Sequence, residues 1–361
     1  MTQKIIIESQ QGAYPVLFFP TIDHALTGME IDGKDYFVIV DENINGIYRE
    51  QITKLLNFPT FIVPANENSK TLEVVSTFTT WLISNGATKS SIILAIGGGI
   101  IQDIATFTAH IYKRGIKWEF LPTTLLSQSD SCIGAKCGIN VHPYKNQIGV
   151  LQSPSQVVIV AEFLKTLDKT DYISGYGEIL KLSLTPPNVF YEDFRKSVTK
   201  HGFSLDEVLP ILQKSLIAKK AIIEIDEYEN DLRRILNYGH SFGHALEAVT
   251  NNFVPHGYGV IFGIDLINYM STKWGGLDNE LRLEIRDFIK EYFPLDILPR
   301  KIAASELIEA LKTDKKVSSG KINFAVLNSD RSLTVLPKSI DEELELLVEE
   351  YLNDECIFTF N

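Results

Sequence analysis

Cysteine is scarce in this 361-residue chain: Cys132, Cys137 and Cys356 are the only three, and no C-x-x-C pair occurs. That pattern excludes a thiolate zinc finger and a disulfide framework, and a reducing, cytoplasmic setting is expected. Long apolar runs are missing as well. The longest, such as Ile92–Ile96, fall far short of the ~20 residues of a membrane span. The segment Met1–Glu8 has no extended apolar stretch, so no secretory leader is expected. Basic residues are outnumbered, 34 Lys+Arg against 46 Asp+Glu, for a formal net charge of −12. A nucleic-acid binder wants a Lys/Arg surplus, and so does a protein that docks on anionic lipid; neither partner is expected. Histidines number only 7, and they prove informative.

What is present is ordinary for a globular chain: 45% hydrophobic and 22% charged residues. The length suggests roughly two domains, with a core large enough to need no covalent staples. The first half alternates short β-rich runs with helical stretches. Strands are expected at Phe37–Val40, Phe61–Val63, Ile92–Ile96 and Trp118–Leu121, with helices from about Thr71 to Ser84 and Ile101 to Tyr112. Near-continuous apolar strands alternating with helices imply a parallel sheet covered on both faces. Beyond Leu164–Thr170 the pattern is mostly helical. Helices are expected at about Asp206–Ile225, Ser241–Val249, Tyr258–Lys273 and Asp341–Leu352. The expectation is an α/β, Rossmann-like domain over 1–165 and an α-helical domain over 166–361, with a ligand in the cleft between them. There is no internal repeat and no low-complexity tract.

Three patterns carry chemistry. Gly97-Gly98-Gly99 follows an apolar strand and opens a helix, a context that lets backbone N–H groups approach a pyrophosphate. A tight turn needing positive φ explains the same glycines equally well, and the spacing is not G-x-G-x-x-G. Asp41, ending an earlier strand, stands where an acid could take a ribose hydroxyl. His240 and His244, at i and i+4, share one helix face. That spacing suits a divalent metal, or one ligand plus one acid/base group, and a hydrogen-bonded core pair is the plainer alternative. His256 lies beyond the helix end, and Glu178 sits in Gly175-Tyr176-Gly177-Glu178. Two imidazoles and a carboxylate would leave an open position on Zn²⁺, as in catalytic zinc sites. His24, His110, His142 and His201 have no comparable surroundings and are expected to be structural or surface residues. Scattered Lys and Arg are usually solvated, so composition alone promotes none of them.

Taken in order, these segments resemble the dehydroquinate synthase family, the sugar-phosphate cyclases. The resemblance runs from about Asp41 to Lys316 and rests on the ordered set. The set comprises the GGG-x-x-x-D turn ending at Asp103, Arg114-Gly115-Ile116, Pro122-Thr123-Thr124-Leu125-Leu126, Asp130-Ser131-Cys132-Ile133-Gly134-Ala135-Lys136 and Lys145-Asn146. It continues with Glu178-x-x-Lys181, Asn237-x-Gly-His240-x-x-Gly-His244, His256-Gly257 and Asp314-Lys315-Lys316. The resemblance implies NAD and one divalent metal, Zn²⁺ with Co²⁺ as alternative, held by Glu178, His240 and His256. It implies NAD contacts at Asp41, Glu67, Lys70, Gly98, Gly99, Asp103, Thr123, Thr124 and Lys145. His244 is implied as acid/base partner near the substrate phosphate, with Asp130, Lys136, Asn146 and Lys181 as further catalytic positions. Lys219, Arg233, Asn237 and Lys316 would bind substrate, and Arg114 would reach a phosphate in a neighbouring subunit, implying a homodimer.

The implied activity is NAD-dependent, phosphate-eliminating ring closure. Arg233 and Asn237 suit a substrate carboxylate, pointing to 3-deoxy-D-arabino-heptulosonate 7-phosphate and a 3-dehydroquinate product. A cyclase making a valiolone- or inosose-type product is the alternative within the family. A metal-dependent alcohol or glycerol dehydrogenase, or a cofactor-binding regulatory protein without activity, are alternatives outside it. Departures from the family pattern are Gly257-Tyr258 for Gly-Glu, Tyr176-Gly177 for Leu-Ala or Met-Ala, and Gly134-Ala135-Lys136 for Gly-Gly-Lys. Loss of an acid beside His256 would be expected to alter how that ligand is oriented.

Overall fold

The computed structural model describes residues 3–142, 144–199, 205–312 and 320–360. The chain divides into two compact units, Met1–Leu167 with Ser204–Leu216, and Asp168–Phe203 with Ile217–Asn361.

The first unit is built on a seven-stranded sheet. Its strands are β1 (Gln3–Ile7), β2 (Tyr14–Phe19), β3 (Tyr36–Asp41), β4 (Thr60–Val63), β5 (Ile92–Gly97), β6 (Lys117–Pro122) and, after the hairpin described below, Gln156–Val160. The hairpin strands are β7 (Lys136–Val141) and β8 (Tyr144–Leu151), which makes the Gln156–Val160 strand β9. The sheet order is β1-β2-β9-β6-β5-β3-β4; β1–β2 is antiparallel and every other pairing is parallel. Every residue of β3 is buried, as a parallel strand covered on both faces requires. The helices of this unit are α1 (Ile22–Gly28), α2 (Glu42–Tyr48), α3 (Thr53–Leu56), α4 (Leu72–Ser84) and α5 (Gly99–Ile111). Thr71 caps α4 by accepting from the Val74 amide, and Asp41 caps α2 by accepting from the Asn43 amide at 2.8 Å.

Chain direction across this sheet puts β4 on one side of β3 and β5 on the other. The carboxyl ends of β3 and β5 therefore flank a switch point, the place where open α/β sheets leave a crevice. Val40 pairs with Ile96, and Gly97 pairs with Pro122 of β6. Asp41, the glycine turn and Thr123–Thr124 thus occur at three neighbouring strand ends. The expected strands and helices of this half are present. The sequence reading did not include β1, β2, β9 or the β7–β8 hairpin.

The second unit contains α6 (Lys169–Ser183), α7 (Tyr191–Ser197), the end of α8 (Leu205–Ile223), α9 (His240–Val249), α10 (His256–Lys273), α11 (Asn279–Tyr292), α12 (Ala304–Lys312) and α13 (Glu342–Glu350). An antiparallel hairpin, β10 (Lys321–Leu327) and β11 (Leu333–Ser339), interrupts the helical pattern. Helices α6, α9 and α10 meet through glycine. A Cβ on Gly177 of α6 would fall inside contact with the Gly257 carbonyl of α10, and one on Gly263 of α10 would strike the Gly239 carbonyl at the start of α9. Tyr176-Gly177, a departure from the family pattern, has its reason here: no side chain fits at 177. Among the described residues no helix is long and apolar enough to cross a membrane.

Candidate active site

The close helix crossings converge four side chains. Glu178 lies mid-way along α6 and is 2% exposed, while His240 and His244 stand one turn apart on α9 and His256 opens α10. Glu178 Oε1 is 2.9 Å from His256 Nε2 and 3.3 Å from His240 Nε2. The ring centres of His240, His244 and His256 lie 5.3–5.6 Å apart. One nitrogen from each of these three rings falls within 4.8 Å of the others. Glu178 Oε2 pairs with Lys181 Nζ at 2.5 Å, one turn along α6.

The outer nitrogens fix which face each ring presents. His256 Nδ1 lies 2.8 Å from Glu247 Oε1, and His240 Nδ1 lies 3.3 Å from the Tyr238 carbonyl. Both neighbours are acceptors, so each Nδ1 carries the proton and each Nε2 turns a lone pair toward Glu178. Two lone pairs facing one buried carboxylate oxygen repel unless a cation lies among them. A proton on His256 is one answer. Burial opposes that charge, but the hydrogen bonds to Glu178 and Glu247 outweigh it and push the imidazole up to about 10. A divalent metal is the other, and the donor set fits it: one carboxylate and two Nε2 atoms, with His244 alongside. Burial lowers the basicity of His240, which keeps it neutral for ligation. Burial also works against charge on Glu178, yet the Lys181 ammonium beside it holds its carboxyl well below the usual range.

Tyr258 does not disturb this arrangement. Its side chain is buried, and its hydroxyl bonds Thr170 near Asp168 at the start of α6. The acid in contact with His256 Nδ1 is Glu247. It stands three residues past His244 and seven past His240 on the same helix face, a spacing legible in the sequence that the sequence reading passed over.

Further cations are buried in the same unit: Lys181 is 3% exposed, Arg233 4% and Lys219 7%. Charged side chains are seldom buried this deeply unless paired, and two of these have partners described here: Lys181 with Glu178 and Arg233 with the Glu227 carbonyl. Arg233 and Asn237 belong to a 3₁₀ turn, Leu232–Asn237, not to an α-helix. Four residues there rotate about 120° past a full turn, so the two side chains are not stacked on one face. Each is instead held separately. Arg233 Nη1 donates to the Glu227 carbonyl, and Asn237 Nδ2 donates to Glu229 Oε1 at 2.5 Å. Asp226 gathers the loop by accepting from the amides of Asn230, Asp231 and Arg233 at 2.8–3.0 Å. Glu229 takes φ +60°, a conformation no sequence pattern advertised.

In the first unit the glycine turn has none of its three residues at positive φ. The tight-turn explanation therefore fails. A Cβ on Gly98 would come 2.9 Å from Thr124 Cγ2, whereas Gly99 faces open space. No side chain caps the α5 N-terminus, so its amides point at that space with the positive end of the helix dipole. Lys70 Nζ and Asp103 Oδ2, both expected NAD contacts, bond each other at 2.9 Å, and Asp103 Oδ1 also accepts from the Gly138 amide at 3.2 Å. Glu67 Oε1 accepts from Asn140 at 2.7 Å and lies 3.9 Å from Lys145 Nζ. These bonds tie the β7–β8 hairpin to α5. Lys136 and Asn146 are exposed on that hairpin, Asn146 with φ +53° over Gly138, and Asp130 is buried. Arg114 is exposed at φ +60°, inside a turn whose residues 113–115 all have positive φ. Lys89 Nζ holds that turn by donating to the carbonyls of Lys113 and Arg114 at 3.0 Å each. His24, His110 and His142 are exposed. His201 and the Asp314-Lys315-Lys316 segment, with the expected phosphate ligand Lys316, lie outside the described residues.

Comparisons with known proteins give the family of the chain. The family description "3-dehydroquinate synthase N-terminal" matches residues 60–174, and "3-dehydroquinate synthase C-terminal" matches residues 175–317. The chain belongs to the 3-dehydroquinate synthase family. A relative named 3-dehydroquinate synthase, from Alkaliphilus metalliredigens, is 34% identical over 333 residues, covering 89% of this chain and 92% of its own. Among solved structures, a 2-deoxy-scyllo-inosose synthase with carbaglucose-6-phosphate, NAD⁺ and Co²⁺ matches with TM-score 0.87 at 21% identity, covering 98% of this chain and 100% of its own. A 2-epi-5-epi-valiolone synthase from Streptomyces hygroscopicus subsp. jinggangensis, with NAD⁺ and Zn²⁺ bound, matches with TM-score 0.83 at 22% identity over 94% and 96% of the two chains. The 3-dehydroquinate synthase family thus shares its α/β fold with the other sugar-phosphate cyclases.

Proposed function

We propose that the protein converts 3-deoxy-D-arabino-heptulosonate 7-phosphate to 3-dehydroquinate and phosphate, as a carbon–oxygen lyase using NAD and one divalent metal. The observation that carries this reading is the convergence of Glu178, His240, His244 and His256 in a unit that also buries Lys181, Lys219 and Arg233. Plain alcohol oxidation needs the first set and has no use for the second.

Glu178, His240 and His256 would hold the metal, Zn²⁺ or Co²⁺. Asp41, Gly98, Gly99, Thr123 and Thr124, at the three strand ends, would hold NAD, with Glu67, Lys70, Asp103 and Lys145 bracing that region. The bound groups supply reversible hydride exchange at a substrate alcohol and polarisation of the same oxygen. The new ketone acidifies the adjacent C–H, and a phosphate oxygen of the substrate is the group that can take that proton. The protein's task there is to position the phosphate and offset its charge. Lys181 and Lys219 supply charge, and His244 exchanges a proton at a phosphate oxygen. Arg233 and Asn237 take the carboxylate, and their separately fixed side chains give that anion a defined place before substrate arrives. Asp130, Lys136 and Asn146 are proposed substrate contacts on the first unit, and Lys316 a proposed phosphate contact.

Arg114 is proposed to serve a second copy of the chain, making the working form a homodimer. Its exposure and its pinned turn support that reading. The three cysteines are free thiols, which suits the cytoplasm, where this reaction would feed the shikimate route to aromatic amino acids. The test is phosphate release by the purified chain with NAD and Zn²⁺. The carboxylated heptulosonate 7-phosphate is compared with sedoheptulose 7-phosphate, and each product is weighed by mass spectrometry. Preference for the carboxylated substrate is expected; preference for sedoheptulose 7-phosphate would transfer the chain to a valiolone-type reaction.

A further inference from the structure

We infer that Glu247 is a positioning residue of the metal centre, holding the ring of His256 so that Nε2 and not Nδ1 faces Glu178. The inference rests on the metal-site reading above. Of the three proposed ligands His256 is the least enclosed: its side chain is 33% exposed, against 12% for His240 and 2% for Glu178. Packing alone therefore does not fix its ring. Among the described residues the side chain on Nδ1 is Glu247, at 2.8 Å. A carboxylate accepting from Nδ1–H selects the tautomer with a lone pair on Nε2 and raises the basicity of that nitrogen as a ligand.

Glu247 is itself well placed for this task. It belongs to the last turn of α9, and its backbone carbonyl accepts from the Asn252 amide at 2.7 Å, closing the short connection that leads to His256. Gly259, three residues past His256 in α10, lies beside the carboxylate: a Cβ there would stand 3.4 Å from Glu247 Oε1 and 3.0 Å from the Gly243 carbonyl. His240, by contrast, has a backbone carbonyl at 3.3 Å on its Nδ1, which no substitution removes. The orientation of one ligand therefore depends on a single replaceable side chain.

The test uses Glu247→Ala and Glu247→Gln in the full chain. Zn²⁺ affinity is measured by competition with a chromophoric chelator, and the visible spectrum of the Co²⁺-loaded protein is recorded beside it. Alanine is expected to weaken Zn²⁺ binding by about 10- to 100-fold and to change the Co²⁺ spectrum. Glutamine keeps an acceptor for Nδ1–H and is expected to recover part of the affinity. A Glu247→Ala protein that binds Zn²⁺ as tightly as the unsubstituted chain overturns the inference and leaves the metal site standing. An unsubstituted chain that takes up no Zn²⁺ overturns the metal-site reading itself. If Glu247→Ala lowers the melting midpoint of the metal-free protein, glutamine decides: affinity above that of alanine supports the positioning role, and equal affinity overturns it.

Discussion

At Ala135 the backbone takes φ +60°, between Gly134 at φ +97° and Lys136 on β7. An L-residue pays roughly 1–2 kcal/mol there, and glycine returns only part of that through its freedom in the unfolded chain. Ala135→Gly is therefore expected to stabilise the protein by up to about 1 kcal/mol, read as a higher urea midpoint with unchanged slope; a lower midpoint would contradict the strain. Arg233→Ala removes a charged donor from the proposed carboxylate site. Loss of a charge-assisted partner costs about 1.5–3 kcal/mol, so kcat/KM for a carboxylated substrate should fall about 10- to 150-fold. An unchanged kcat/KM would remove Arg233 from substrate binding. At this scale the sequence was a partial guide. His240 and His244 announced themselves by i, i+4 spacing. Glu178, 62 residues before His240, was singled out beside the histidines as a candidate carboxylate, and the family resemblance then implied it as a ligand. Glu247 stands at i+7 from His240, a spacing that was not used.

Helix crossings decide whether those residues meet. Gly177 and Gly257 let α6 and α10 touch through backbone, and Glu178 and His256 are their immediate neighbours. Gly177→Ala should push the helices apart, costing about 1–3 kcal/mol as overpacking does, and should reduce Zn²⁺ content more than a surface substitution on α6. Retained metal stoichiometry with wild-type stability would show that the crossing has slack. A second element-level contact lies at the chain's end. Glu355 receives Arg282 and Arg286 of α11 at 2.7 Å each, and the Arg282 guanidinium holds its carboxyl below the usual range. A depressed carboxyl contributes stability above its unfolded value, about 4.3, and loses it as pH falls through the folded value. Glu355→Gln should therefore lower the melting midpoint at neutral pH and converge with the unsubstituted chain in acid. A pH-independent difference would assign the effect to packing instead. The elements of the first unit were legible where apolar runs were continuous, as in β3 and β5. The β7–β8 hairpin was not, because short half-exposed strands lack that signature, whereas β2 (YPVLFF) and β9 (QVVIV) carry apolar runs that were passed over. The turn at Leu232–Asn237 is 3₁₀, a distinction that side-chain periodicity over six residues cannot make.

Taken whole, the molecule carries a net charge of −12, yet the proposed ligands, NAD and a phosphorylated sugar acid, are anions. The buried Lys181, Lys219 and Arg233 would reconcile the two, setting positive groups beside the proposed anions in a molecule that is negative as a whole. The central claim is that a hydride is borrowed and returned while phosphate leaves. It is tested by following NADH absorbance and free phosphate together as the purified chain turns over the carboxylated heptulosonate 7-phosphate with catalytic NAD. Many phosphates released per NAD, with no build-up of NADH, are expected. NADH accumulating in step with substrate consumed, without phosphate, would contradict it and make the protein an alcohol dehydrogenase.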